Sequence, residues 1–123
     1  MKRDMDLVRK ILLAIDECDD PWGPKDSIQV EGYSDEVISY HVKLLAQAGL
    51  IEADDVSEMG PDGFSWWAGS LTWEGHEFLE AVRDETRWNK TKKSVSEKAG
   101  GLMFEVLKFA LTQGIKGQLF PGS

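Results

Sequence analysis

The segment Ser34–Ile51 constrains the fold of this chain more than any other stretch, because it combines helical spacing with a clear boundary at each end. It reads SDEVISYHVKLLAQAGLI. At 100° per residue, Ile38, Val42 and Leu45 fall on one side of a helix, and His41 lies at the edge of that side. A serine stands at the N-cap position, and a glycine follows the last helical turn. The pattern therefore predicts an amphipathic helix that is followed at once by an apolar strand.

This helix and the strand after it resemble a known DNA-binding arrangement. The pattern S-x-H-(apolar)-K-x-L-x-x-A-G-L-(apolar) is similar to the recognition helix and first wing strand of winged-helix regulators. The resemblance implies an α+β fold of the winged-helix type. It also makes four polar residues of the helix candidates for DNA contact: Ser39, Tyr40, Lys43 and Gln47.

The remaining segments are predicted to follow in winged-helix order. Spacing and turn residues predict a helix at Asp4–Cys18, a short strand at Ser27–Val30, the helix at Ser34–Ala48, wing strands at Leu50–Val56 and Phe64–Ala68, a long helix from Trp73 to about Lys93, and a last helix at Leu102–Thr112. The helix that usually precedes the recognition helix is either reduced to a turn at Glu31–Tyr33 or is a short helix within Pro24–Ser27. We expect residues 1–99 to form a winged-helix-like domain, and residues 100–123 to be a C-terminal helix and tail that pack on it or on a second copy.

Composition limits the class of protein to which the chain can belong. Apolar residues make up 41% and charged residues 29% of its 123 residues, which is ordinary for one globular domain. The single cysteine, Cys18, excludes an internal disulfide and agrees with a reducing compartment. We find no apolar run long enough to span a bilayer and no signal-peptide pattern. The sequence therefore predicts a cytoplasmic protein without a membrane partner.

The distribution of charge conflicts with the DNA-binding resemblance. The net charge is −8, and residues 34–70 contain seven acidic residues and one basic residue, Lys43. An acidic surface repels a duplex, whose binding depends on neutralising phosphates. The one basic stripe lies further on, where Arg83, Arg87 and Lys90 are spaced i, i+4 and i+7. It is either a phosphate-binding strip or a solvated face that pairs with neighbouring carboxylates.

No group of residues predicts an enzyme. His41 lies at the edge of an apolar helix face, where a structural role is the more common one, and His76 has no ligand partners at zinc spacing beyond Glu80. Cys18 is surrounded by carboxylates that disfavour its thiolate. The acidic cluster around Asp19 lacks the ligand order of a calcium loop. We therefore expect no catalytic residue, no metal site and no cofactor.

Acidic and aromatic residues of the wing predict a second kind of surface. Glu52, Asp54 and Asp55 run along the first wing strand, where they either protect an edge strand or attract a basic protein. In the second strand, alternation places Trp66 and Trp67 on opposite faces, so that one of them is partly exposed or covered by another element. These five residues are candidates for a protein interface. Trp73 is expected to pack at the start of its helix, beside the wing.

The last predicted helix carries a further apolar stripe. Leu102, Val106, Phe109 and Ala110 share one of its faces. On the body of the domain, this stripe would be core. On a second copy, it would form a homodimer, the usual way in which winged-helix proteins pair. Leu102, Val106 and Phe109 are therefore also interface candidates.

Several motifs resemble a bacterial and prophage family of hypothetical proteins without assigned function. They are the opening MKRDMDLVRKIL, the central YHVKLL with AGLI, the run LTWEGHEFL, the run RWNKTK, and the GGL that begins the last helix. The resemblance implies a small winged-helix-like protein of phages and mobile elements, and it carries over no site residue. Together with the patterns above, it predicts a non-enzymatic binding protein. A DNA-binding regulator is the first hypothesis, and an acidic module that binds a basic host or phage protein is the second.

Overall fold

The computed structural model describes residues 1–58, 63–90 and 93. The predicted C-terminal helix, its apolar stripe of Leu102, Val106 and Phe109, and the expected boundary at residue 99 lie outside these residues. The chain divides into two units, Met1–His76 and a second unit that begins at Glu77. The described elements define an α+β protein.

Helix α1, Met5–Asp16, forms where the sequence predicts it and is capped at its start by Asp4. The Asp4 carboxylate accepts hydrogen bonds from the backbone N–H groups of Asp6 (2.9 Å) and Leu7 (3.2 Å). Two of the N–H groups that a helix start leaves unpaired are thereby satisfied. The predicted apolar side is buried, and Ile11 and Leu12 have no exposed surface.

Helix α2, Asp35–Gln47, confirms the central prediction from the sequence. Ser34 caps it by accepting a hydrogen bond from Val37 N–H at 3.3 Å. The chain leaves the helix through Gly49, whose φ of 78° is a left-handed conformation that glycine adopts without strain. Ile38, Val42 and Leu45 are at most 3% exposed, so the side of the helix predicted to be apolar is the buried side.

Strands β1, Ile51–Asp55, and β2, Trp66–Leu71, form the predicted antiparallel hairpin. Asp54 stands opposite Trp67 and Asp55 opposite Trp66, with an irregularity between Ile51 and Ala53. The second strand begins two residues later than predicted and extends further, to Leu71. Both strands contact α2, and β2 also contacts α1, so the core of the first unit lies between the two helices and the hairpin.

The predicted strand at Ser27–Val30 is wrong. Residues 27–30 form no strand, and the isolated bridge nearby joins Asp26 to Ala68, next to a hydrogen bond of 3.0 Å from Lys25 N–H to Ala68 O. The φ of 50° at Lys25 ends this contact on one side, and on the other the Val30 carbonyl is used by the following turn. Of the two alternatives for the helix before α2, the turn at Glu31–Tyr33 is the one that forms, and in it Tyr33 N–H donates to Val30 O at 3.2 Å.

The single long helix predicted from Trp73 to Lys93 is also wrong, because it is broken in the middle. Helix α3 spans Trp73–Val82, and a new helical segment, α4, occupies residues 85–90. Asp84 caps α4, since its carboxylate accepts from Arg87 N–H and its carbonyl from Trp88 N–H, each at 2.9 Å. The preference of aspartate for the N-cap ends one helix and starts the next. In the described residues of the second unit, Phe78, Leu79, Ala81, Val82 and Trp88 are buried.

Within the part of the chain that the structure describes, every helix is too short or too polar to cross a membrane.

Candidate functional site

One of the four DNA-contact candidates on α2 does not lie on the accessible side of the helix. Ser39 is buried, with 6% of its surface exposed, and its Oγ accepts a hydrogen bond from Trp66 N–H at 3.2 Å. It therefore ties α2 to β2 and is not presented to a ligand. Tyr40 and Lys43 are half-buried and Gln47 is exposed, so these three remain on the accessible side of the helix.

Negative charge dominates the surface that α2 and the hairpin share. Residues 34–58 carry six carboxylates and one cation, Lys43. The pKa of Asp55 lies below its ordinary value of 3.8, chiefly because it is hydrogen-bonded by the Ser57 side chain and then by the Ser57 backbone N–H at 3.0 Å; Lys43 adds a smaller attraction. The only cation of this segment thus lies near a carboxylate of the hairpin. The surface keeps a negative balance at neutral pH.

An exposed indole lies beside one of these carboxylates, Asp54, on the outer face of the hairpin. Asp54 and Trp67 are directly opposite across the two strands, and cross-strand partners place their side chains on the same face. Trp67 is 38% exposed and Phe64 is 39% exposed. Trp66 is half-buried and shares the other face with Ala68, which is buried. The predicted alternation of the two tryptophans is therefore confirmed.

The chemistry of this face suits a positively charged partner. Glu52 and Asp54 are exposed carboxylates at alternate positions of β1 and so lie on one face, whereas Asp55, also exposed, stands opposite Trp66 on the other face. Carboxylates pair with ammonium and guanidinium groups, and an indole ring attracts the same groups through its negative face. We call Glu52, Asp54 and Trp67 the acidic hairpin face.

His41 has a structural role, as its position in the sequence suggests. It has no exposed surface, its Nε2 accepts a hydrogen bond from Asp4 N–H, and its Nδ1–H donates to Val37 O, each at 2.8 Å. Both ring nitrogens are thus used by the backbone, which leaves neither for catalysis or a metal.

Asp4 connects three separate segments of the first unit, and sequence reasoning missed this cluster. Besides capping α1 and donating to His41 through its backbone N–H, it accepts a hydrogen bond from the Tyr33 hydroxyl at 2.9 Å. Burial, and then the neighbouring Asp4 carboxylate, raise the pKa of Tyr33 above 10.0. Asp4 lies 29 residues from Tyr33 and 37 from His41. No local pattern could have shown that they meet.

A cleft of about 310 Å³ lies between the loop after α1, the end of β2 and the first turn of α3. Its lining residues are Asp16, Cys18, Asp19, Asp20, Pro21, Gly23, Ser70, Leu71 and His76. Trp22, within this loop, is 70% exposed. Trp73 is 81% exposed, so the expectation that it packs beside the wing is wrong. Within residues 1–58, 63–90 and 93, no three histidine, cysteine or carboxylate side chains are grouped to hold a metal ion.

The basic stripe predicted for one long helix does not form, because the break before α4 separates its members. Arg83 lies in the break itself and pairs with Glu80 at 3.0 Å, both side chains being exposed. Arg87 and Lys90 lie on α4, where they line a shallow pocket of about 370 Å³ with Asp84 and Thr86. Two cations of the predicted strip therefore remain together, and the third lies outside their helix.

Comparisons with known proteins place the chain in a family. Residues 2–101 match the hypothetical-protein family DUF2513, and the chain belongs to this family. It is similar to an uncharacterized protein of Haemophilus influenzae, with 40% identity over 108 residues that cover 88% of this chain and 90% of the relative. No solved structure matches the chain significantly. The resemblance to a family of hypothetical proteins is thus confirmed.

Proposed function

We propose that this chain is a non-enzymatic, cytoplasmic binding module that recognises a basic protein through its acidic hairpin face. The observation that carries this proposal is the pairing of Asp54 with the exposed Trp67 across the hairpin. Exposed tryptophans are frequent anchors of protein interfaces. Carboxylates around such an anchor select a cationic partner and speed its association.

Electrostatics favour a basic protein over DNA at this surface. The hairpin carries Glu52, Asp54, Asp55 and Glu58 as exposed residues, and the single cation of α2 lies near one of them. A duplex carries one negative charge about every 1.7 Å of its axis, so contact with this face would be repulsive. A lysine- or arginine-rich protein surface is attracted by the same charges.

Affinity capture with matched charge reversals tests the proposal. Tagged wild-type protein, Asp54→Lys and Glu31→Lys are incubated with nuclease-treated host lysate. Glu31 is an exposed residue in the turn before α2, so both variants change the net charge equally. We expect a basic protein to be retained by the wild type and by Glu31→Lys, and lost by Asp54→Lys. Equal retention by both variants, or loss of all partners after nuclease treatment, would contradict the proposal.

A DNA-binding regulator of the winged-helix and phage type remains the second candidate. The order helix, turn, helix, two-stranded hairpin, helix supports it, as does the pair Arg87 and Lys90 on α4. In this case Arg87 and Lys90 contact phosphates, while Tyr40, Lys43 and Gln47 face a groove. A homodimer formed through Leu102, Val106 and Phe109 would suit a two-fold DNA site.

Duplex binding as a function of salt separates this candidate from the first. A regulator binds DNA more weakly as salt rises, and Arg87→Glu lowers its affinity for every sequence. Lys2→Glu is the matched control, because Lys2 is exposed near the start of the chain. Absence of binding to any duplex at low salt removes the DNA candidate.

A further inference from the structure

We propose that the cleft between the loop after α1 and the first turn of α3 is a second recognition site, which takes an arginine- or lysine-bearing peptide segment. This cleft is separate from the acidic hairpin face and belongs entirely to the first unit. The inference concerns a different surface, so it does not depend on which partner the hairpin binds.

Two exposed tryptophans flank the cleft. Trp22 is next to the lining residues Pro21 and Gly23, and 70% of its surface is exposed. Trp73 is 81% exposed and lies three residues before His76, another lining residue, on the same side of α3. Large apolar side chains this exposed on both sides of one cleft are typical of a binding surface.

The loop that carries Trp22 is fixed in place by backbone contacts. Asp20 accepts hydrogen bonds from Trp22 N–H at 2.8 Å, through its side chain, and from Gly23 N–H at 2.9 Å, through its carbonyl. Gly23 has a φ of 84°, and a Cβ there would overlap the carbonyl group of Gly69. The loop therefore rests directly on β2. A platform that is ordered before binding loses little entropy when a ligand arrives.

The charges of the cleft identify the class of ligand. Three carboxylates line it, those of Asp16, Asp19 and Asp20, with His76 as the only basic type of side chain in the lining. The ring of Trp22 already holds a cation, since the Lys25 ammonium lies 4.8 Å from its centroid. The Trp22 ring is thus able to accept a cation, and the carboxylates of Asp19 and Asp20 belong to the same loop. A guanidinium or ammonium group of a partner would displace Lys25 from the ring and pair with the carboxylates.

The experiment follows tryptophan indole N–H signals in a nitrogen-15 NMR spectrum during titration with the peptide acetyl-Arg-Gly-Arg-amide. We expect the Trp22 and Trp73 signals to shift together and to give a single Kd. The Trp88 signal should not move, because that side chain is 1% exposed. A shift of the Trp67 signal with a different Kd would report the hairpin face and would support the cleft as a separate site.

Three variants test the chemistry. Asp19→Asn should raise the Kd reported by Trp22 and Trp73 about threefold. Asp54→Asn, the same change on the hairpin, should leave this Kd unchanged. Lys25→Gln should lower this Kd, because it removes the ammonium group that competes with the peptide for the Trp22 ring. The Lys25→Gln result distinguishes recognition from a loss of folding, which would only weaken binding.

Several outcomes would overturn the proposal. The Trp22 and Trp73 signals could stay in place during the titration, or could give two different Kd values. Asp19→Asn and Asp54→Asn could change the Kd equally, or acetyl-Glu-Gly-Glu-amide could shift the two signals as much as the arginine peptide does. Shifts of the same two signals with protein concentration alone would instead assign the cleft to contact between two copies of the chain, and would also overturn it.

Discussion

Replacing Asp4 with alanine tests the cluster that joins α1 to Tyr33 and His41. The change removes a carboxylate that caps α1 through Asp6 N–H and Leu7 N–H and accepts the Tyr33 hydroxyl. Loss of an N-cap costs about 1 kcal/mol. Loss of a hydrogen bond to a charged group adds about 1.5 kcal/mol, the lower end of the usual range, because this bond is only partly buried. We therefore expect Asp4→Ala to lower the free energy of unfolding by about 2–3 kcal/mol.

A double-mutant cycle with Tyr33→Phe separates the two contributions. Tyr33→Phe alone should cost about 1.5 kcal/mol, because it removes only the hydroxyl bond. The double variant should be no less stable than Asp4→Ala, which gives a coupling energy of about 1.5 kcal/mol. The measurement is urea unfolding followed by far-ultraviolet circular dichroism, with linear extrapolation to water.

The control is the other helix cap. Ser34→Ala removes a single, longer bond of 3.3 Å at an exposed helix start, so it should cost at most about 1 kcal/mol. An additive cycle for Asp4 and Tyr33, or an Asp4→Ala effect no larger than that of Ser34→Ala, would refute the argument that Asp4 connects these segments.

Three further predictions concern the core, the hairpin and the loop. Leu45→Ala should cost about 2–5 kcal/mol by opening a cavity, and Glu36→Ala, on the exposed side of α2, less than about 0.5 kcal/mol, both by urea unfolding. The carboxyl of Asp55 should titrate with a pKa below 3.8 in NMR, and Ser57→Ala should raise its pKa. The stability that Asp55 contributes is therefore present above its unfolded pKa and is lost as pH falls through the lower folded value. Gly23→Ala should lower the thermal midpoint by more than any surface substitution, because its Cβ has no space beside β2.

Local patterns predict the elements whose boundaries are set by neighbouring residues. Ser34 and Gly49 mark the ends of α2, and the alternation in β2 separates Trp66 from Trp67. Each of these features depends on capping, glycine conformation or strand geometry, which act over a few residues. The family resemblance covers most of the chain for the same reason, since its motifs are contiguous runs.

Features that depend on tertiary contact cannot be predicted in this way. Ser39 has the spacing of a surface residue, but β2 packs over it and Trp66 N–H donates to it. Asp84 has the preference of an N-cap, yet the basic and apolar residues around it also suit one uninterrupted helix. The size of Trp73 favours a packed position, and the structure leaves it exposed beside a cleft. Sequence gives the type of a residue, whereas its neighbours decide whether it packs, caps or binds.

The measurement that tests the central claim most directly is the affinity of the captured basic protein, once purified, for three forms of this chain. By fluorescence anisotropy at moderate salt, Asp54→Lys should raise Kd about tenfold or more, and Glu31→Lys less than about twofold. Binding by the wild type should also weaken as salt screens the carboxylates. Equal constants for the two variants would contradict the assignment of the acidic hairpin face as the partner-binding surface.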